Sequence, residues 1–200
     1  DANGRARNIT DPNGLSTDLV YNPRGRLTSR TTGSEITGYT YDGVGQLHFV
    51  TTPGGAAYTY TYDAAHRLTD ITDGLGNYIH YTLDEMGNRT QEETFDSAGN
   101  LNQTHSRVFD ALNRLWKDIG AINQTAVFEY DANGNLTKVT DPLTRPTSHT
   151  YDALDRLITS TDAANGITRF GYDGLDQLTK VTDPKTLVTQ YQKDGLGNLE

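Results

Sequence analysis

The chain has 200 residues, with 26 acidic against 17 basic side chains and a net charge of −9, which argues against nucleic acid or an anionic membrane as its partner. It has no cysteine, so neither a disulfide framework nor a thiol nucleophile is available, and no apolar run approaches membrane-spanning length nor is any signal segment present. Leu, Ile, Val and Phe fill only 40 positions and the mean hydropathy is −0.66, too little apolar side chain for a thick core.

In chain order, the predicted elements are short strands punctuated by turns. DANGR (1–5) and TDPNG (10–14) are turns, followed by YNPRGRL (21–27) and YDGVGQL (41–47), with GYTYD (38–42) as a period-two strand between them. TTPGG (51–55) leads into YTYTY (58–62), where Tyr and Thr alternate, then into YDAAHRL (62–68), TDGLGN (72–77) and LDEMGNR (83–89). The same alternation continues through FDSAGN (95–100), FDALNRL (109–115), YDANGNL (130–136), TDPLT (140–144), YDALDRL (151–157), TDAANG (161–166), YDGLDQL (172–178), TDPKT (182–186) and KDGLGNL (193–199). One motif, close to Tyr-Asp-x-x-Gly-Arg-Leu, thus recurs ten times, its Asp/Asn slots spaced by 21, 20, 21, 21, 26, 21, 21, 21 and 21 residues. Fixed-period self-similarity is the signature of a repeat architecture and makes an enzyme unexpected.

Three residues after that Asp stand Gly4, Gly25, Gly45, His66, Gly87, Asn113, Gly134, Asp155, Asp176 and Gly197. These types share tolerance of a positive φ rather than any reactivity, so the slot predicts a left-handed turn position. Aromatic before, aliphatic after and a tight turn between describe one end of a β-hairpin. The TDP-type turns midway close the other end, so each period holds two strands. The 26-residue spacing between Asp84 and Asp110 lengthens both arms of one hairpin, which is expected to protrude.

Ordering a single 21-residue unit costs on the order of 30 kcal/mol of conformational entropy, and one hairpin buries little. Stability must come from laying each hairpin on the next. The expected fold is all-β: tandem antiparallel β-hairpin repeats, about twenty strands and no helix, forming a curved, spiralling β-sheet ribbon or hollow shell segment roughly 96 Å long in the hydrogen-bonding direction. Residues 1–200 are expected to be a single array of nine to ten repeats, truncated at both ends.

With YDALDRL, YDANGNL and TDP turns at this period, the whole chain resembles the RHS/YD-repeat family. The resemblance implies a strip of hairpins that spirals into a hollow shell, enclosing a toxic C-terminal domain in bacterial members and serving adhesion in teneurins and some wall-associated proteins. The family's shell-closing segment, near which some members cut themselves with Asp residues, has no counterpart here, nor has a toxin domain. The expected role is a non-catalytic shell segment of a secreted or cell-surface bacterial protein, its partners the rest of the same shell and the enclosed C-terminal cargo. The alternative is an extracellular adhesive or filamentous surface protein that binds carbohydrate or partner subunits through its aromatic faces, with self-association through ribbon edges as a further expected contact.

No catalytic, metal or cofactor residues are expected. Asp131, Asn133 and Asn135 have the spacing of an EF-hand opening, but Pro142 stands where the bidentate Glu belongs. His48, His66, His80, His105 and His149 lack metal-ligand spacing. Glu92 and Glu93 point to opposite faces of a strand, while Asp155 and Asp176 are equivalent turn positions. Tyr58, Tyr60, Tyr62 and Trp116 are the candidate carbohydrate-binding residues, against a simpler reading as cross-strand packing shared with Tyr41, Tyr81, Tyr130, Tyr151 and Tyr172.

Overall fold

The computed structural model describes residue 1 and residues 3–192, so the tenth motif copy at 193–199, with Gly197 and Leu199, lies outside the described residues. Among those described there are eighteen β-strands and no α-helix. The chain forms two compact units, Asp1–His105 and Ser106–Glu200. The first contains β1 (Asn8–Thr10), β2 (Ser16–Tyr21), β3 (Leu27–Thr32), β4 (Glu35–Tyr41), β5 (Leu47–Thr51), β6 (Ala57–Tyr62), β7 (Leu68–Asp73), β8 (Tyr78–Leu83), β9 (Arg89–Phe95) and the start of β10 (Leu101–Phe109). The second contains the end of β10, then β11 (Leu115–Ile119), β12 (Thr125–Tyr130), β13 (Leu136–Thr140), β14 (Pro146–Tyr151), β15 (Leu157–Thr161), β16 (Ile167–Tyr172), β17 (Leu178–Thr182) and β18 (Val188–Gln190).

Within each unit every strand pairs antiparallel with its sequence neighbours, so the hairpin reading of the repeat is correct. The long hairpin is built from the seven residues of β9 and the nine of β10, the longest strand described.

The pairing register assigns the faces. In the first unit Tyr39 lies opposite Val50, Val50 opposite Tyr58, Tyr60 opposite Ile71 and Ile71 opposite Ile79, so these side chains share one face. On the other, Phe49, Thr59 and Thr72 lie in register, as do Asp70, His80 and Glu93. In the second unit Phe128 faces Val139 and Phe170 faces Val181. Among the described residues only Val50 and Tyr81 are buried, at 9% and 7% exposure. Both units are single sheets without a thick core, and the bonds between adjacent hairpins must supply the cohesion that a core supplies elsewhere.

Two turns escape the sequence reading. Gly33 and Ser34 close β3 onto β4 as a two-residue loop, with Thr32 opposite Glu35, and residues 120–124 close β11 onto β12. Neither begins with the Asp that marks its relatives. In the latter, Gln124 supplies the missing acceptor, its Oε1 taking the Ile122 amide at 3.0 Å.

Candidate functional site

The recurrent motif is the most organised feature of the chain, and its geometry follows from the Asp. In the turn Asp63–Arg67, the Asp63 amide donates to the Arg67 carbonyl at 2.9 Å and the His66 amide returns to the Asp63 carbonyl at 3.0 Å. The Asp63 Oδ1 accepts from the amides of Ala65 and Arg67, both at 2.9 Å, and Oδ2 accepts from Arg67 Nε at 2.7 Å. Asp110 and Asp152 repeat this arrangement with Arg114 and Arg156. Where Asn replaces Arg, as in Asn88 and Asn135, its side-chain amide takes the same carboxylate oxygen. The residue three after the Asp is left-handed throughout the described copies, with φ of 66° at His66, 65° at Asn113, 59° at Asp155, 62° at Asp176 and 95° at Gly134.

After the turn the register slips by one residue, as between Thr61 and Tyr62. The extra residue forms a bulge. At five of these bulges it is a Thr whose hydroxyl bonds back to a carbonyl of the preceding strand: Thr28 to Val20, Thr69 to Thr61, Thr90 to Thr82, Thr137 to Glu129 and Thr179 to Gly171, at 3.1–3.2 Å.

The remaining motif residues join one repeat to the next. Between hairpins the ladder is short: β5 and β6 pair from Thr51 and Ala57 to Phe49 and Thr59, then stop before Leu47. The Leu47 carbonyl instead accepts the Tyr62 hydroxyl at 2.8 Å. Tyr41 does the same to Leu27 at 2.8 Å, and Tyr130, Tyr151 and Tyr172 do so to Leu115, Leu136 and Leu157 at 2.9 Å. The motif Arg of the preceding repeat lies over the same ring, 4.6 Å from the centroid for Arg114 on Tyr130 and 4.9 Å for Arg156 on Tyr172. Its guanidinium also reaches the next Asp carbonyl, 2.6 Å from Arg67 to Asp84 and 3.1 Å from Arg114 to Asp131.

Where the left-handed slot holds His66, Asp155 or Asp176, its side chain is gripped by the preceding repeat. Gln46 Oε1 lies 2.9 Å from His66 Nδ1, Asn133 and Asn135 donate to Asp155 at 2.8 and 2.6 Å, and Arg156 reaches Asp176 at 2.7 Å. A side chain at positive φ costs backbone energy, and these contacts offset part of it. Residues that look like variations on a turn are therefore links between neighbours.

The electrostatics predict sensitivity at both ends of the pH scale. The Arg67 backbone amide, opposed by desolvation and aided by the guanidinium, holds Asp63 below its ordinary 3.8, and the Asn100 side chain and amide do so for Asp96. A depressed carboxylate stabilises above its unfolded value and ceases to as pH falls through the folded one, so acid unfolding should begin below about pH 4. Burial raises Tyr41, Tyr62 and Tyr151 above 10.0. Their contribution is complete below that value and is lost as pH rises through the raised one. Circular dichroism titration should show a plateau between these limits, and loss of structure near neutral pH would contradict the assignment.

The other candidates fall in separate places. Tyr62 is engaged with Leu47. Tyr58 lines an open cleft of about 300 Å³ with Ile71, Ile79, Tyr78 and Phe95, where the Tyr78 and Phe95 rings stack at 4.6 Å. Tyr60 borders a second hollow with His48, His66 and Tyr62. Trp116 belongs to the second unit, stands at the bulge slot next to Leu115, is 43% exposed and has Lys117 Nζ 4.0 Å over its ring. The Asp131 carboxylate accepts the amides of Asn133 and Asn135 and the Asn135 side chain, its own turn's donors. Glu92 lies opposite Tyr81 and Glu93 opposite His80, on opposite faces of β9. The described residues contain no group of three or more His, Asp or Glu able to hold a metal ion.

Comparison with curated protein sequences returns no match. Among solved structures, a TcdB2-TccC3-Cdc42 crystal structure superposes with a TM-score of 0.60 at 15% identity, covering 96% of this chain and 13% of that one. The Tc holotoxin pore of Photorhabdus luminescens gives the same values, and a TcdB2-TccC3 crystal structure gives 0.57 at 15% identity, with 96% and 14% covered. At such identity the likeness is one of fold, and the chain spans only 13–14% of those proteins' length. The RHS Repeat family profile matches residues 1–37, 21–57, 41–78, 62–97, 130–168 and 151–188, well over half of the sequence. The matched segments carry the Tyr-Asp turns and inter-repeat bonds described above, and on them the chain belongs to the RHS repeat family.

Proposed function

We propose that the chain is a wall segment of a secreted bacterial shell that encloses a C-terminal cargo polypeptide, a toxin in the simplest case, until delivery. The observation that carries this reading is the allocation of the motif: Tyr, Asp, Arg, the left-handed residue and Leu are all engaged in forming a turn or gripping the next repeat. Such residues build a wall rather than a reaction centre. A regular ribbon places like carboxylates in like environments, whereas acid–base catalysis needs them in different ones. A thin sheet with aromatic and polar side chains on both of its faces suits a boundary between two environments.

Electron microscopy and limited proteolysis of the full-length protein test the proposal. A closed hollow body with a protease-protected internal polypeptide is the expected result. An open fibre, or a cargo cleaved as fast as a free domain, would overturn it. In that case the adhesive reading takes its place, with the Tyr58 cleft as the first place to seek bound sugar, by glycan array and Tyr58→Ala.

A further inference from the structure

The tips of the tyrosine-end turns in the second unit carry a feature that neither the turn nor the inter-repeat bonds require. Leu112, Leu154 and Leu175, each two residues after the motif Asp, are 69%, 65% and 78% exposed. The equivalent tip between Leu112 and Leu154 is Asn133, and its turn closes with the same hydrogen bonds. A large aliphatic side chain is thus dispensable for the fold, yet three of these four tips hold one in water.

The surrounding charge is one-sided. Across these four turns Asp110, Asp131, Asp152, Asp155, Asp173 and Asp176 face only Arg114 and Arg156, six negative groups against two positive. The hydrogen-bond donors to the carboxylates of Asp131, Asp155 and Asp173 are neutral amides, whereas both arginines are engaged by the carboxylates of Asp110, Asp152 and Asp176. An aliphatic row inside a net negative rim fits a partner that is apolar and cationic. A second copy of this acidic chain, at −9, is disfavoured by repulsion.

Spacing selects the form of the partner. Successive tips stand two strands apart, about 9.6 Å. Seven residues of an α-helix rise about 10.5 Å and return to the same face, whereas residues three apart in a strand, at about 10 Å, point to opposite faces. We infer that this rim is a docking surface for a cationic amphipathic helix lying along the row of tips, one aliphatic side chain per heptad meeting Leu154 and Leu175 and reaching towards Leu112.

The test uses the full chain and a labelled peptide of three heptads, with leucines along one face and lysines beside them. Two control peptides replace every lysine by glutamate or every leucine by serine. Anisotropy should show saturable binding of the first peptide alone, with helix induced on binding. Leu154→Asn with Leu175→Asn, which copies the tip that is already Asn133, should weaken it at least about tenfold, while Leu143→Asn at the opposite turn edge should leave it within about twofold. Circular dichroism of the variants verifies folding. Equal binding of the glutamate or serine peptide, unchanged affinity of the double variant, or no binding at all would each overturn the inference.

Discussion

Gly134→Val will lower the thermal stability of the chain by about 2 kcal/mol, or about 4–8 °C in melting temperature. Gly134 has a φ of 95°, where a β-branched residue is strained. A Cβ there would meet nothing within 4 Å, so a steric clash cannot contribute. Gly134→Asn should be milder, because asparagine already holds the equivalent slot at Asn113 with a φ of 65°. Thermal melts of the two variants decide the matter: if both fall equally, or neither falls, the slot is not chosen for its backbone.

The second large effect concerns the joints between repeats. Converting Tyr130, Tyr151 and Tyr172 together to Phe keeps the rings and removes the three hydroxyls that bond the carbonyls of Leu115, Leu136 and Leu157. Each loss should cost about 1 kcal/mol, and the bonds are separate enough to sum to about 3 kcal/mol. The distribution of the loss is the sharper prediction. Amide exchange should accelerate where β13 meets β14 and β15 meets β16, whose ladders stop after three pairs, and change less within the hairpins β14–β15 and β16–β17. A uniform acceleration would mean that the tyrosines stabilise by ring packing alone.

These two expectations bear on function in the same way. An array of this kind is strong because each module is tied to the next through its edge, so damage at one joint stays local while the array persists. The same logic explains how the left-handed slot varies. Glycine needs no partner there, whereas His66, Asp155 and Asp176 each come with a gripping residue one repeat earlier.

The turn slot, the period and the hairpins were legible because they depend on local backbone preference. Gly25, His66, Asn113 and Asp155 have nothing in common except tolerance of positive φ, and all adopt it. The tyrosines were only half legible. Alternation placed Tyr58, Tyr60 and Tyr62 on one face, but that Tyr62 grips the Leu47 carbonyl depends on where a ladder to a strand 15 residues earlier stops. Thr69 and its equivalents carried a signal in the recurrent Leu-Thr pair, without a reason until the bulge appeared. Turns 33–34 and 120–124 went unseen because Gly33 and Gln124 perform, by other means, what Asp performs elsewhere.

By itself, the sequence determined that this protein is an array of β-hairpins with left-handed turns and no thick core, since φ tolerance, period-two alternation and a near-constant 21-residue spacing act over a few residues at a time. Only the tertiary structure decided what the motif is for. Which carbonyl a tyrosine meets, which ring an arginine covers and which tips remain in water are set by the register between neighbouring hairpins. That register arises from the bulge and the early end of each inter-hairpin ladder, which join residues too far apart in the chain for local preference to specify.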